Sequence, residues 1–270
     1  MKRLFLLLAL VVMVFVSCSK DKENEKGNLA QQMIGKWMLD QANGNAVPTN
    51  EKLVYTIESD TVGYVSASLA GFSESLPRWT NRVPCEVFVS GDTIIMFGNL
   101  NKTLSFRAEL KVKSVSATEM TAVSEYTVYH NGTPVFDNSG TALWKKVPSE
   151  YSMDILGNWE GRATGVAGSV YDDGEPHRWE YFDDGTYIYY SQNPNGEWEP
   201  SGSELSEYFV DGTLLCTRWR NSGEGDEECR EWWEISSIAD GVMNWIALRQ
   251  REDGSTFTAT FQMTKVQQDD

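Results

Sequence analysis

One pentapeptide recurs in this 270-residue chain, and the recurrence constrains the fold more than any other feature. Met33-Ile34-Gly35-Lys36-Trp37 returns as Ile155-Leu156-Gly157-Asn158-Trp159, with the tryptophans 122 residues apart. Three more blocks follow at nearly the same offset and in the same order. Phe88-Val89-Ser90-Gly91-Asp92-Thr93 pairs with Phe209-Val210-Asp211-Gly212-Thr213, Ser114 to Met120 with Ser237 to Met243, and Ala142 to Val147 with Phe261 to Val266. An ordered set of blocks at one period marks a duplicated unit. The chain therefore divides into residues 29–147 and 148–270, joined near Pro148 and Ser149.

Within each unit, runs rich in Val, Ile, Thr and aromatics alternate with short Gly, Asn and Asp clusters, and no long amphipathic helical pattern occurs. The first unit parses into eight strands near 35–42, 52–59, 61–69, 79–90, 92–98, 103–114, 118–130 and 135–147, and the second parses alike. Asn131-Gly132, Asp184-Gly185, Asp211-Gly212 and Asp253-Gly254 supply the positive φ that tight hairpins demand. The expected fold is all-β: two tandem eight-stranded antiparallel meander β-barrels, since eight meander strands can close on themselves and remove their edges. A short helix is expected before each Gly-x-Trp, with Asn28 capping Leu29 to Met33 and Ser149 capping Glu150 to Ile155.

A plug helix, Gly35 and Trp37 or Gly157 and Trp159 on the first strand, and a cationic last strand resemble the lipocalin-like domains of bacterial lipoproteins. The resemblance spans nearly all of residues 29–266, twice. It implies that a basic side chain lies over each tryptophan near the barrel floor: Lys145 or Lys146 over Trp37, and Lys265 over Trp159. That role is structural, worth about 0.5–2 kcal/mol per pair.

The N-terminus reads as an export signal over residues 1–17, with Lys2 and Arg3 ahead of an uncharged apolar core from Leu4 to Val16. That core is shorter than the roughly 17–25 residues a spanning helix needs. Phe15-Val16-Ser17-Cys18 resembles the lipobox of bacterial lipoproteins, which implies cleavage before Cys18 and acylation of its sulfur. Residues 18–28 are polar, charged and free of aromatics, the composition of a flexible tether. The charged run from Lys20 to Lys26 is either a plain spacer or similar to the tag that moves some Gram-negative lipoproteins to the cell surface. An outer-membrane lipoprotein is the expected setting, exposed at the cell surface where the charged run acts as that tag.

Charge separates the two units. Residues 29–147 hold 10 basic and 11 acidic residues, whereas 148–270 hold 8 and 25, so nucleic acid and anionic lipid are poor partners for the chain. Tryptophan is also unequal: Trp37, Trp79 and Trp144 in the first unit, and Trp159, Trp179, Trp198, Trp219, Trp232, Trp233 and Trp245 in the second. Aligned on Val115 and Ile238, Trp233 falls on the inward row and Trp232 points outward, either covering the other barrel or serving an external partner such as a sugar. Trp179, Trp198, Trp219 and Trp232 are the candidate binding residues.

Cys216 and Cys229 flank one hairpin on the inferred inner face, which leaves open a cross-strand disulfide or two buried thiols, with Cys85 unpaired. His130 and His177 are the only histidines and are expected exposed in hairpin regions. No Gly-x-Ser-x-Gly or His-Glu-x-x-His motif occurs, and no close cysteine pair suits a metal. The acidic runs at 172–175, 183–184 and 224–228 lack EF-hand spacing and are expected to be solvated turns, with calcium as the alternative. These features point to a binding protein that needs no cofactor or metal and is not an enzyme; a glycoside hydrolase remains the alternative, because spacing along the chain does not report carboxylate separation. The leading expectation is a small apolar or amphipathic ligand inside a barrel; the second is glycan binding or adhesion through the Trp-rich acidic unit.

Overall fold

The computed structural model describes residues 29–67, 76–77, 79–168, 171–201, 203–221 and 228–267. The signal, Cys18, the tether with the Asn28 cap, and residues 224–227 of one acidic run lie outside the described residues.

The first unit is a closed antiparallel barrel. Its strands are β1 (Gly35–Ala42), β2 (Asn45–Ala46), β3 (Leu53–Ile57), β4 (Val62–Ala67), β5 (Thr80–Ser90), β6 (Thr93–Asn99), β7 (Leu104–Val115), β8 (Glu119–His130) and β9 (Thr133–Lys146). Sequential neighbours pair from β3 to β9, β1 pairs with β3, and β9 returns to β1 with Trp37 opposite Lys146. The two-residue β2 only folds back on the end of β1, so eight strands make the wall. Alternation puts Val65, Val87, Ile94, Met96, Phe106, Leu110 and Val128 inside, where Tyr55 stacks on Trp144 at 4.8 Å.

The second unit keeps the meander but curls without full closure. It comprises β10 (Gly157–Ala163), β11 (His177–Tyr181), β12 (Tyr187–Gln192), β13 (Trp198–Pro200), β14 (Ser203–Asp211), β15 (Leu214–Asn221), β16 (Cys229–Ala239), β17 (Val242–Gln250) and β18 (Thr256–Lys265). Trp159 faces Lys265 across β10 and β18, as Trp37 faces Lys146. The sheet ends at β13 and β14, which do not pair; one bridge, Thr186 to Glu207, spans the gap. The cause lies in the counterpart of β5. That strand runs unbroken from Thr80 to Ser90 in the first unit, through Pro84 and with Arg82 at φ +44°, whereas in the second its counterpart is divided between β13 and β14. The interior is packed with rings: Trp179, Trp233, Trp245 and Phe261 lie 5.3–6.2 Å apart by centroid. Four of the seven tryptophans of this unit, Trp159, Trp179, Trp233 and Trp245, are therefore core.

The Gly-x-Trp repeat has one physical explanation in both units. Trp37 donates its indole N–H to the Met33 carbonyl at 2.9 Å, and Trp159 donates to Ile155, so each indole fastens the turn that seals the barrel floor. Lys146 lies 5.3 Å from the Trp37 ring and Lys265 5.2 Å from the Trp159 ring. Gly35 sits at φ +122°, a backbone conformation that residues with a Cβ rarely adopt, and a Cβ there would also press 2.9 Å on the Lys146 Cε and shift that side chain. Lys145 is not the stacking residue. Neighbours on a strand point to opposite faces, and Lys145 instead pairs with Asp40 at 3.0 Å. The first plug is a helix over residues 29–33; the second is a turn, with Ile155 N–H donating to Tyr151 at 3.1 Å, rather than the expected helix.

Candidate ligand groove at the seam

The outward face of the second unit meets the first barrel. On β16, Glu231, Trp233 and Ile235 point inward, so Trp232 points out, where it joins Met38, Val54, Phe209, Leu214 and Cys216 in a third apolar cluster. Trp232 is only 5% exposed, so of the two roles open to an outward tryptophan it takes the one of covering the neighbouring barrel. Trp79 packs edge-on against Phe209 at 4.8 Å, and Arg218 lies over Trp79 at 4.6 Å.

Charges ring this cluster. The buried Asp211 carboxylate accepts from Lys36 and has Arg82 at 3.6 Å, while Lys36 also binds Glu150. Lys52, itself buried, bridges Glu234 at 2.7 Å and Asp40 at 3.8 Å. Leu248 N–H donates to the Thr49 hydroxyl at 2.8 Å, fastening the 3-10 turn Thr49–Glu51 to β17. Buried ion pairs of this kind specify an orientation more than they add stability.

Beside that fastening lies a groove of about 880 Å³. Thr49 and Asn50 come from the first unit; Val166, Gly168 and Asp172 from the segment before β11; Glu231 and Trp232 from β16; and Leu248 to Asp253 with Phe257 from the last hairpin. Its floor is a charge pair. Arg249 donates to Glu231 at 2.8 Å while lying 4.5 Å over the Trp233 ring. Burial pushes the Glu231 carboxyl upward, and Arg249, Tyr171 and Trp233 pull it back toward the charged form. Arg251 caps the Phe257 ring at 4.2 Å. The near wall is shaped by Asp172, which accepts from Ala167 N–H and, at 2.7 Å, Gly168 N–H. Gly168, at φ +67°, has no room for a side chain, because a Cβ would lie 2.2 Å from Phe257.

His177 is not an exposed loop residue. It begins β11, is 4% exposed, accepts or donates at Tyr189 Oη over 2.7 Å and meets Asp173 at 3.2 Å, thereby tying down the segment that carries Asp172. It could not be placed from sequence because the strand starts at the histidine itself. Burial lowers its pKa below the ordinary 6.5, with Asp173 and Glu175 opposing. Below pH 6.5 the unfolded chain thus binds a proton more readily than the folded one, and stability falls as pH falls. Replacing His177 with Gln is expected to flatten that part of the slope, checked by urea midpoints from pH 7.5 to 5.5.

The four candidate tryptophans are not gathered in one site. Trp179 is core and Trp232 belongs to the seam; Trp198 carries Arg178 over its ring at 4.6 Å on β13, and Trp219 is half-buried on β15. Nor do Cys216 and Cys229 bond. Cys216 stands opposite Trp232 and Cys229 opposite Trp219, three positions apart along the ladder and on opposite faces, beyond disulfide reach. Cys216 points into the seam, not the barrel interior. The Asp172 and Asp173 carboxylates are spent on backbone N–H groups and on His177, and Asp184 caps Thr186. His130 is exposed. The interior of the first barrel offers a cavity of about 70 Å³, lined by Leu39, Tyr55, Tyr126 and Trp144 among others. Glu231, Arg249 and Gln250 had no motif to announce them, since the groove exists only once Thr49 and Asn50 are brought to them.

No family model matches the chain, and no curated protein does. Two solved structures of the vaccine antigen transferrin-binding protein B from Haemophilus parasuis are similar to it. A double mutant matches at 12% identity with a TM-score of 0.25, over 87% of this chain and 46% of that one. A single tryptophan-to-alanine mutant matches at 8% identity and a TM-score of 0.25, over 82% of this chain and 61% of that one. The chain thus spans less than two thirds of either. Among the described residues no helix is long and apolar enough to cross a membrane.

Proposed function

We propose that the chain is a non-enzymatic binding protein, held on the outer membrane by a lipid on Cys18, which takes a polar glycan in the seam groove. The observation that carries this reading is the contrast between the two concavities. A groove of about 880 Å³ falls in the range of about 300–1,000 Å³ typical of ligand sites, and its paired charges and amide offer hydrogen bonds to hydroxyls. The first barrel's cavity of about 70 Å³ is smaller than the ~150 Å³ that holds benzene, which disfavours an apolar ligand there. Arg251 on Phe257 and Val166 supply a sugar ring with partly apolar cover.

Intrinsic tryptophan fluorescence tests the reading, since Trp232 and Trp233 adjoin the groove. Titration with an oligosaccharide panel is expected to shift emission while fatty acids do not, and Gln250→Ala combined with Arg251→Ala is expected to weaken binding at least about tenfold. A response to fatty acids alone would overturn it.

A further inference from the structure

The outer wall of the first barrel carries an apolar patch that the groove does not use. Phe88 is 49% exposed, Val62 41% and Phe97 39%, in a protein whose other large apolar side chains are mostly buried. The ladder explains why they cluster. Phe88 pairs with Ile95 and Glu86 with both Phe97 and Val62, so all five residues share one outward face of β4, β5 and β6. The Phe88 and Phe97 rings stack within 8° of parallel at 5.6 Å.

Its position is set by register. Gly35, Ile57, Gly63, Cys85 and Gly98 stand in line across β1, β3, β4, β5 and β6. Val62, Phe88, Ile95 and Phe97 all lie on the side of that line toward which β1 begins, the end sealed by Leu29 and Met33. The chain enters the barrel there. The 10 residues between Cys18 and Leu29 let the two lie at most about 40 Å apart, so a lipid on Cys18 keeps this end next to the bilayer.

Charge argues the same way. The unit carrying the patch is nearly neutral, with 10 basic and 11 acidic residues, whereas the other would be repelled by an anionic surface. Around the patch, Glu86, Asp92 and Glu109 stand with Lys111 and Arg107, a net of one negative charge, and Arg107 is paired with Glu109 at 2.5 Å.

We infer that Val62, Phe88, Ile95 and Phe97 form a docking face for a zwitterionic lipid surface, laying the sealed end of the first barrel against the membrane. Aromatic and aliphatic side chains enter the headgroup boundary in proportion to the apolar area they bury, and the tether supplies the local concentration. The inference rests on the proposed anchoring at Cys18.

The test uses the intact acylated protein in phosphatidylethanolamine and phosphatidylcholine vesicles, with photoreactive benzoylphenylalanine in place of Phe97 and, separately, of Ile246, an exposed residue of the second unit. Lipid cross-links are expected at position 97 about tenfold above those at 246. Palmitate labelling is run in parallel, with Cys18→Ala as the unlabelled control. If the chain is labelled and floats with vesicles but position 97 gives no excess, the docking face is overturned and the anchor stands. Cross-links from 97 to a second copy of the chain would overturn it in favour of self-association. Absence of label on the unaltered chain would remove both the anchor and the inference.

Discussion

Trp159→Ala is expected to lower the unfolding free energy by about 3–5 kcal/mol, the range for deleting a large buried aromatic. The side chain is 1% exposed, and three separate losses converge on it. Its ring volume leaves a hole at the floor of the second core. Its N–H no longer holds the Ile155 carbonyl, and Lys265 loses the face it lies over at 5.2 Å. Trp159→Phe keeps a ring but loses the N–H, so about 1–2 kcal/mol is expected, most of it from one hydrogen bond. Urea unfolding of both variants separates packing from polar contributions. Equal costs for the two would mean that the hydrogen bond, and not the ring, holds the floor.

Trp232→Asp is expected to uncouple the two units. The substitution removes a large side chain from the seam cluster and leaves a carboxylate among the apolar Met38, Val54, Phe209 and Leu214, at the cost of its hydration. With the cluster gone, the seam is left with ion pairs such as Lys52 to Glu234, which hold orientation weakly once water enters. A calorimetric scan is expected to change from one cooperative transition to two, with a cost to the seam of about 3–5 kcal/mol even for Trp232→Ala. Oligosaccharide binding is expected to fall with it, because the groove takes Thr49 and Asn50 from one unit and Arg249 from the other. Survival of a single transition would show that the Trp232 cluster is not what couples the two units.

Much of the architecture was legible from spacing. The eight strands of the first unit fall within a few residues of where alternation and turn residues placed them, because a half-buried strand must alternate and a tight hairpin needs Asn-Gly or an equivalent. Lys146 rather than Lys145 was not legible: the choice depends on the β1–β9 register, and a shift of one residue exchanges the faces. His177 and the Cys216–Cys229 pair failed for a related reason, since burial and separation at a strand end are set by neighbours distant in sequence. Non-closure of the second sheet was hidden because a proline does not announce it: β5 carries Pro84 and stays continuous, whereas the counterpart strand with Pro200 is divided into β13 and β14.

The sequence by itself determined the local geometry: a duplicated meander, glycines where φ is positive, a tryptophan to seal each floor, and the outward direction of Trp232. Each follows from bonding rules that act over a few residues or across one repeat. The tertiary structure alone decided what Trp232 meets, which charges surround Asp211, and that Thr49 comes to rest beside Arg249. Those outcomes depend on docking two surfaces whose complementarity is spread over residues some 200 positions apart, and no local period records it.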